Sequence, residues 1–107
     1  MDKKKVNISL IGMPGAGKTT IAKLLAAQLN LEFVDSDHLI EKRSDQSIQN
    51  ILDSEGYIEL RIKEEEVILS CPLNNTILAT GGSAVYSDKA MSYLKNNSIV
   101  IYLDIPI

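Results

Sequence analysis

From Gly12 to Thr19 the chain reads Gly-Met-Pro-Gly-Ala-Gly-Lys-Thr, in which Gly12, Gly17, Lys18 and Thr19 satisfy the spacing G-x-x-x-x-G-K-[ST]. Residues of these types at these offsets can hold phosphate. Glycines let the backbone wrap an anion so that successive N–H groups point inward, and a helix starting there adds its partial positive charge. A lysine closing the loop can reach the β- and γ-phosphates of a nucleoside triphosphate, and the hydroxyl beside it can ligate Mg²⁺, which prefers oxygen donors. The expected nucleotide contacts are therefore Gly12, Gly15, Ala16, Gly17, Lys18, Thr19 and Thr20, with Thr19 also on the metal. The competing interpretation is a chance glycine-rich turn, which at a glycine frequency of about 7% arises in roughly one such chain in several hundred.

A phosphate loop alone does not choose among kinases, GTPases, ATPases and regulatory modules. The chain has no Asn-Lys-x-Asp motif and no Asp-x-x-Gly after a strand, which argues against a GTPase. Asp35 and Asp37 follow a short apolar stretch, where open α/β sheets gather ligand-binding groups. One carboxylate can hold Mg²⁺ while the other orients an attacking hydroxyl and takes its proton; alternatively, both merely cap the next helix. Arg61 on an otherwise apolar helix face can clamp a carboxylate, with Glu64 one turn later as its pairing and aiming partner or as half of a purely structural pair. Gly81-Gly82 can offer backbone N–H groups to a ligand or simply make a turn. Asp104 follows an apolar run, either as a further Mg²⁺ group or as an ordinary strand-ending residue, and His38 reads as a helix-start residue.

The elements that must position these groups follow from periodicity. Val6 to Ile11 reads as a buried strand entering the loop, and from Lys18 the apolar residues Ile21, Leu24, Leu25 and Leu29 fall at helical spacing up to a stop at Asn30. Leu31 to Val34 is a second strand. Short helices follow over 38–43 and 47–54, the second capped by Ser47 and stopped by Gly56. A longer helix from Tyr57 to Ser70 carries an apolar stripe of Tyr57, Leu60, Val67, Ile68 and Cys71, with Arg61 and Glu64 on the same interior side. Thr76 to Thr80 is a third strand, Ser87-Asp88 caps a helix through Met91 and Leu94, and Ser98 to Leu103 is a fourth strand. Strands alternating with helices predict an α/β fold with a mainly parallel sheet covered on both faces.

At 107 residues, 45% hydrophobic and 23% charged, the chain fits one globular domain spanning residues 1–107. A net charge of −3 leaves no basic surplus for nucleic acid or anionic lipid. The single cysteine, Cys71, cannot close an intrachain disulfide and fits a reducing, cytoplasmic setting as a small buried hydrophobe. The basic and apolar start is too short for a signal peptide, and no stretch reaches transmembrane length.

Taken together, the loop at 12–19, Phe33-Val34-Asp35-Ser36-Asp37 with Ile40-Glu41, Ser47-Ile48, Gly56, Arg61-x-x-Glu64, Ala79-Thr80-Gly81-Gly82 and the strand ending Tyr102-Leu103 resemble the shikimate kinase family over nearly the whole chain. The resemblance implies a three-layer P-loop NTPase fold and phosphorylation of shikimate by MgATP, a step of aromatic amino acid biosynthesis. It puts Asp35 on the Mg²⁺ side, Asp37 on the substrate hydroxyls, and Arg61 with the Gly81 and Gly82 backbone on the substrate carboxylate and ring. Lys18 would stabilise the transferring phosphoryl group, with Asp37 as candidate base. Leu60, Tyr57 and Ser83 depart from the family's usual Phe, Glu and third glycine; Leu60 reads as a packing change, whereas Tyr57 and Ser83 keep open a kinase of gluconate or another sugar acid. Family members continue past the fourth strand with an arginine-bearing lid and a fifth strand, so the chain reads as a C-terminally truncated piece, or else as a non-catalytic nucleotide-binding module. Ile99 to Leu103 would then form an exposed apolar edge and favour poor solubility or oligomerisation; the oligomeric state itself stays open.

Overall fold

The structure, a computed structural model, describes residues 6–12, 17–82 and 84–103. Gly15, Ala16, Ser83 and Asp104, singled out above, lie outside the described residues. The strands are β1 (Ile8–Gly12), β2 (Glu32–Asp35), β3 (Thr76–Ala79) and β4 (Ile99–Leu103), and the helices are α1 (Lys18–Leu29), α2 (Ser36–Ser44), α3 (Ile48–Ser70) and α4 (Asp88–Asn97). A 3-10 turn at Ala84–Tyr86, not foreseen from sequence, joins β3 to α4. The strands form one sheet in the order β2-β3-β1-β4, and every pairing is parallel. In its register Asp35 lies beside Ala79 and Ala79 beside Leu10, so the carboxyl ends of β2, β3 and β1 reach one edge together.

Side chains alternate across the strands, as the pleat requires. Ile8, Leu10, Ile77 and Ala79 face α1, packing with Ala22 and Ala26. Ile11 and Leu78 point the other way, into a cluster with Ile68, Cys71, Met91 and Leu94 from α3 and α4. A smaller cluster of Ile40, Ile51 and Val67 ties α2 to α3. Helices thus cover both faces of the sheet, as expected, and Cys71 is buried.

Two of the expected apolar stripes are corrected. Along α1, Leu24 and Leu29 are 61% and 50% exposed, and the buried positions are Lys18, Ala22 and Ala26, with Ile21 and Leu25 packing at the flanks. Small side chains let the helix axis come close to the sheet, and this proximity carries Lys18 into the interior. On α3, Tyr57 is exposed and only the later part of its stripe is buried. At β4, Ile99 and Tyr102 are exposed on an edge strand of the described sheet, as anticipated for that segment.

The caps behave as the sequence indicates. Ser47 Oγ accepts from the Asn50 N–H (3.1 Å) and Ser87 Oγ from the Ala90 N–H (3.0 Å), while Asn30 closes α1 in the left-handed region. α2 begins two residues earlier than expected because Asp35 caps it. The helices expected on either side of Gly56 run on as one element, yet Gly56 breaks it with φ 87° and ψ 168°, a region open essentially only to glycine. A Cβ there would meet nothing within 4 Å, so any penalty is conformational rather than steric. Gly56→Ala is expected to destabilise the fold by about 1–3 kcal/mol, lowering the urea midpoint at unchanged m-value; an unchanged midpoint would show that the kink is not imposed.

Candidate functional site

α1 opens directly behind the glycine loop. Gly17 is its N-cap in the left-handed region (φ 81°), no side chain caps the helix, and its first turn holds no acidic residue. Amides at such a helix start lack intrahelical acceptors, so they are available to an anion. Lys18 is buried, and its ammonium donates to the Gly12 carbonyl. Burial lowers its pKa, and the nearby carboxylates of Asp37, Glu64 and Asp35 act in the opposite direction. An ammonium partly desolvated in this way favours a negatively charged partner.

The two oxygens of Asp35 divide their work. Oδ1 accepts from the N–H groups of Asp37 (2.9 Å) and His38 (3.4 Å), capping α2, while Oδ2 accepts from the Thr19 hydroxyl at 3.3 Å. Capping and facing the phosphate loop are therefore compatible. Thr19 and Asp35 offer a hydroxyl and a carboxylate, the hard oxygen donors suited to Mg²⁺. Among the described residues no group of three or more His, Cys, Asp or Glu side chains could hold a metal.

Asp37 stands in the first turn of α2, partly buried, with its pKa raised to about 6. Burial is the main cause; Glu64, Asp35 and Glu41 add to it, and Lys18 opposes it. Behind it lies a polar relay that the sequence did not reveal. The fully buried Ser36 accepts from the Gly81 N–H (2.9 Å) and donates to Glu64 Oε2 (3.3 Å), joining the start of α2, the end of β3 and the middle of α3. A Cβ at Gly81 would collide with the carboxylates of Glu64 and Asp37, which explains the glycine. Thr80 fastens β3 to β1, its N–H and Oγ1 both donating to the Leu10 carbonyl at 3.1 Å.

These groups enclose a cleft of about 370 Å³, with Gly17 to Thr20 on one wall, Asp35 and Asp37 on another, and Ala79 to Gly82 closing it. Of the residues singled out from sequence, Gly17, Lys18, Thr19, Thr20, Asp35, Asp37, Gly81 and Gly82 line this cleft, and Gly12 contributes the carbonyl that holds Lys18. Arg61 is not part of that lining. Its exposed guanidinium lies over the rings of Tyr57 (4.8 Å) and Tyr86 (4.4 Å). The expected Arg61–Glu64 pair is absent from the ion pairs of the described residues, because Glu64 turns inward to Ser36, beside Gly81, whereas Arg61 turns outward. Ser36, Thr80 and Tyr86 were missed as site residues; a serine between two aspartates was the only signal available for Ser36.

The family model for shikimate kinase matches residues 14–107. A shikimate kinase of Aeromonas salmonicida is 47% identical over 102 residues, covering 94% of this chain and 59% of its own length, and one of Haemophilus influenzae is 45% identical over 102 residues, covering 94% and 57%. The solved shikimate kinase from Acinetobacter baumannii, in complex with shikimate, superposes with a TM-score of 0.89 at 40% identity, covering 96% of this chain and 58% of that one. The chain therefore spans less than two thirds of the length of these relatives.

The raised pKa of Asp37 has a stability consequence. Between the usual carboxylate range and about pH 6 the folded chain holds a proton there that the unfolded chain has released, so this group's contribution to stability falls as pH rises through that window. Asp37→Asn should remove the penalty, stabilising the protein at pH 7 by on the order of 1 kcal/mol after allowance for solvent screening, and the difference should vanish below about pH 4. Urea unfolding at the two pH values reads this, and a variant no more stable than the parent at pH 7 would contradict it.

Proposed function

The chain belongs to the shikimate kinase family, and from that premise we propose that it transfers the γ-phosphoryl group of ATP to a hydroxyl of shikimate, in a cytoplasmic setting. The observation that supports this best is the convergence of Lys18, the Thr19–Asp35 pair and Asp37 on one cleft. The shikimate in the Acinetobacter baumannii relative supports the acceptor, and the family match weighs against the gluconate-type alternative.

The nucleotide phosphates lie against the amides of Gly17 to Thr20, on the loop that also includes Gly15 and Ala16. Lys18 meets the β- and γ-phosphates. Mg²⁺ would be held by the Thr19 hydroxyl and by Asp35, directly or through water, and when bound would neutralise phosphate charge. The acceptor hydroxyl oxygen forms a bond to the γ-phosphorus as the bond to the β–γ bridging oxygen breaks and ADP departs. Asp37 takes the hydroxyl proton; its pKa near 6 leaves it mostly ionised at neutral pH yet basic enough to receive that proton. Gly81 and Gly82 bring backbone close to the acceptor ring, and Arg61 clamps the carboxylate through the in-plane edge of its guanidinium. Little covalent chemistry falls to the protein, so rate comes from positioning and charge stabilisation.

In a coupled assay for ADP release, Lys18→Ala is expected to lower kcat/KM for ATP by at least about a hundredfold. Arg61→Ala is expected to raise KM for shikimate roughly ten- to a hundredfold, the worth of a charge-assisted hydrogen bond, while leaving KM for ATP alone. Near-parental activity in Lys18→Ala would remove the phosphoryl-transfer reading, and an unmoved shikimate KM in Arg61→Ala would remove the carboxylate clamp.

A further inference from the structure

A guanidinium can be held by its flat face while its edge stays free. Arg61 is placed where this can happen: its guanidinium carbon lies over the Tyr57 ring at 4.8 Å and over the Tyr86 ring at 4.4 Å from the centroids, and among the described residues no hydrogen bond or ion pair occupies its N–H donors. The rings come from separate parts of the chain. Tyr57 follows the Gly56 kink and precedes Arg61 by one helical turn, the spacing at which side chains on a helix meet. Tyr86 ends the 3-10 turn in the segment that leaves the cleft after Gly81 and Gly82.

Neither ring is needed by the core. Tyr57 is 58% exposed and Tyr86 68% exposed, so both rings stand at the surface, where each meets the Arg61 guanidinium. Stacking uses the π-face of the cation and leaves the planar fork of N–H donors to meet a carboxylate side-on. A long side chain fixed in advance also loses less rotamer freedom when a ligand arrives. Glu64, one turn further along α3, lies close enough to Gly81 that a Cβ there would strike it, so the Arg61 turn of α3 flanks the end of β3 that closes the cleft.

From this geometry we propose that Tyr57 and Tyr86 are positioning residues that hold the Arg61 guanidinium face-on so that its free edge is presented to the acceptor carboxylate. The inference rests on the shikimate reading above and adds what sets the aim of the clamp.

The test is steady-state kinetics on Tyr57→Ala, Tyr86→Ala, their Phe counterparts and each Ala change combined with Arg61→Ala, all in the full chain. Each Ala variant is expected to raise KM for shikimate about two- to fivefold, the range for exposed cation–π contacts, with kcat and KM for ATP unchanged. Tyr57→Phe and Tyr86→Phe keep the π-face and should restore parental KM. In the Arg61→Ala background the tyrosine changes should add nothing. The proposal is overturned if the Ala variants match the parent, if Phe fails to rescue, or if the tyrosine effects persist without Arg61, which would mean that the rings touch the acceptor themselves. Should Arg61→Ala alone leave shikimate KM unmoved, the clamp and this inference fall together; a large Arg61 effect with silent tyrosines sinks only this inference.

Discussion

When α1 packs against the sheet, the Lys18 side chain is buried and its ammonium gives up part of its water, donating to the Gly12 carbonyl. That exchange is unfavourable by itself, as its lowered pKa records, and it is offset by the fields of Asp35, Asp37 and Glu64. The carboxylates need the cation just as much: Lys18 is the one influence that draws the Asp37 pKa down. Each charge is thus tolerated because the others are fixed nearby, and a ligand bearing phosphate and a divalent cation adds opposite charges where each sign is already wanted. Such pre-set charge is the usual origin of electrostatic catalysis, and it trades fold stability for function.

The sheet makes this arrangement rigid. Parallel pairing brings the ends of β1, β2 and β3 level, Thr80 is tied to Leu10 through backbone and side chain, and the Ser36 hydroxyl bridges Gly81 to Glu64. Ala22 and Ala26 allow the close approach of α1 that buries Lys18. The phosphate side of the cleft therefore rests on regular elements and satisfied hydrogen bonds. Arg61 stands apart, out on α3, with its guanidinium over two exposed rings.

Much of this was legible in the sequence because it is local. The strand–glycine loop–helix order, the caps at Ser47 and Ser87, the stop at Asn30 and the break at Gly56 depend on neighbours a few residues away. What was not legible depends on partners distant in sequence. Apolar spacing in α1 pointed to leucines, whereas closeness to the sheet selected alanines. Arg61 and Glu64 are neighbours along the helix, and that adjacency implied a pair; instead Arg61 meets Tyr57 on its own helix and Tyr86 from another element, while Glu64 meets Ser36 at the start of α2. Family membership was readable from the order of the motifs, while the exposed position of Arg61 required the fold.

The most direct test of the buried-ammonium account is to follow backbone amide resonances of the protein during titration with MgATP. Saturable shifts are expected, centred on the amides of Gly17, Lys18, Thr19 and Thr20, the start of α1 that no side chain caps. A folded protein whose well-dispersed spectrum shows no saturable change at these amides, or shows it only elsewhere, would contradict it.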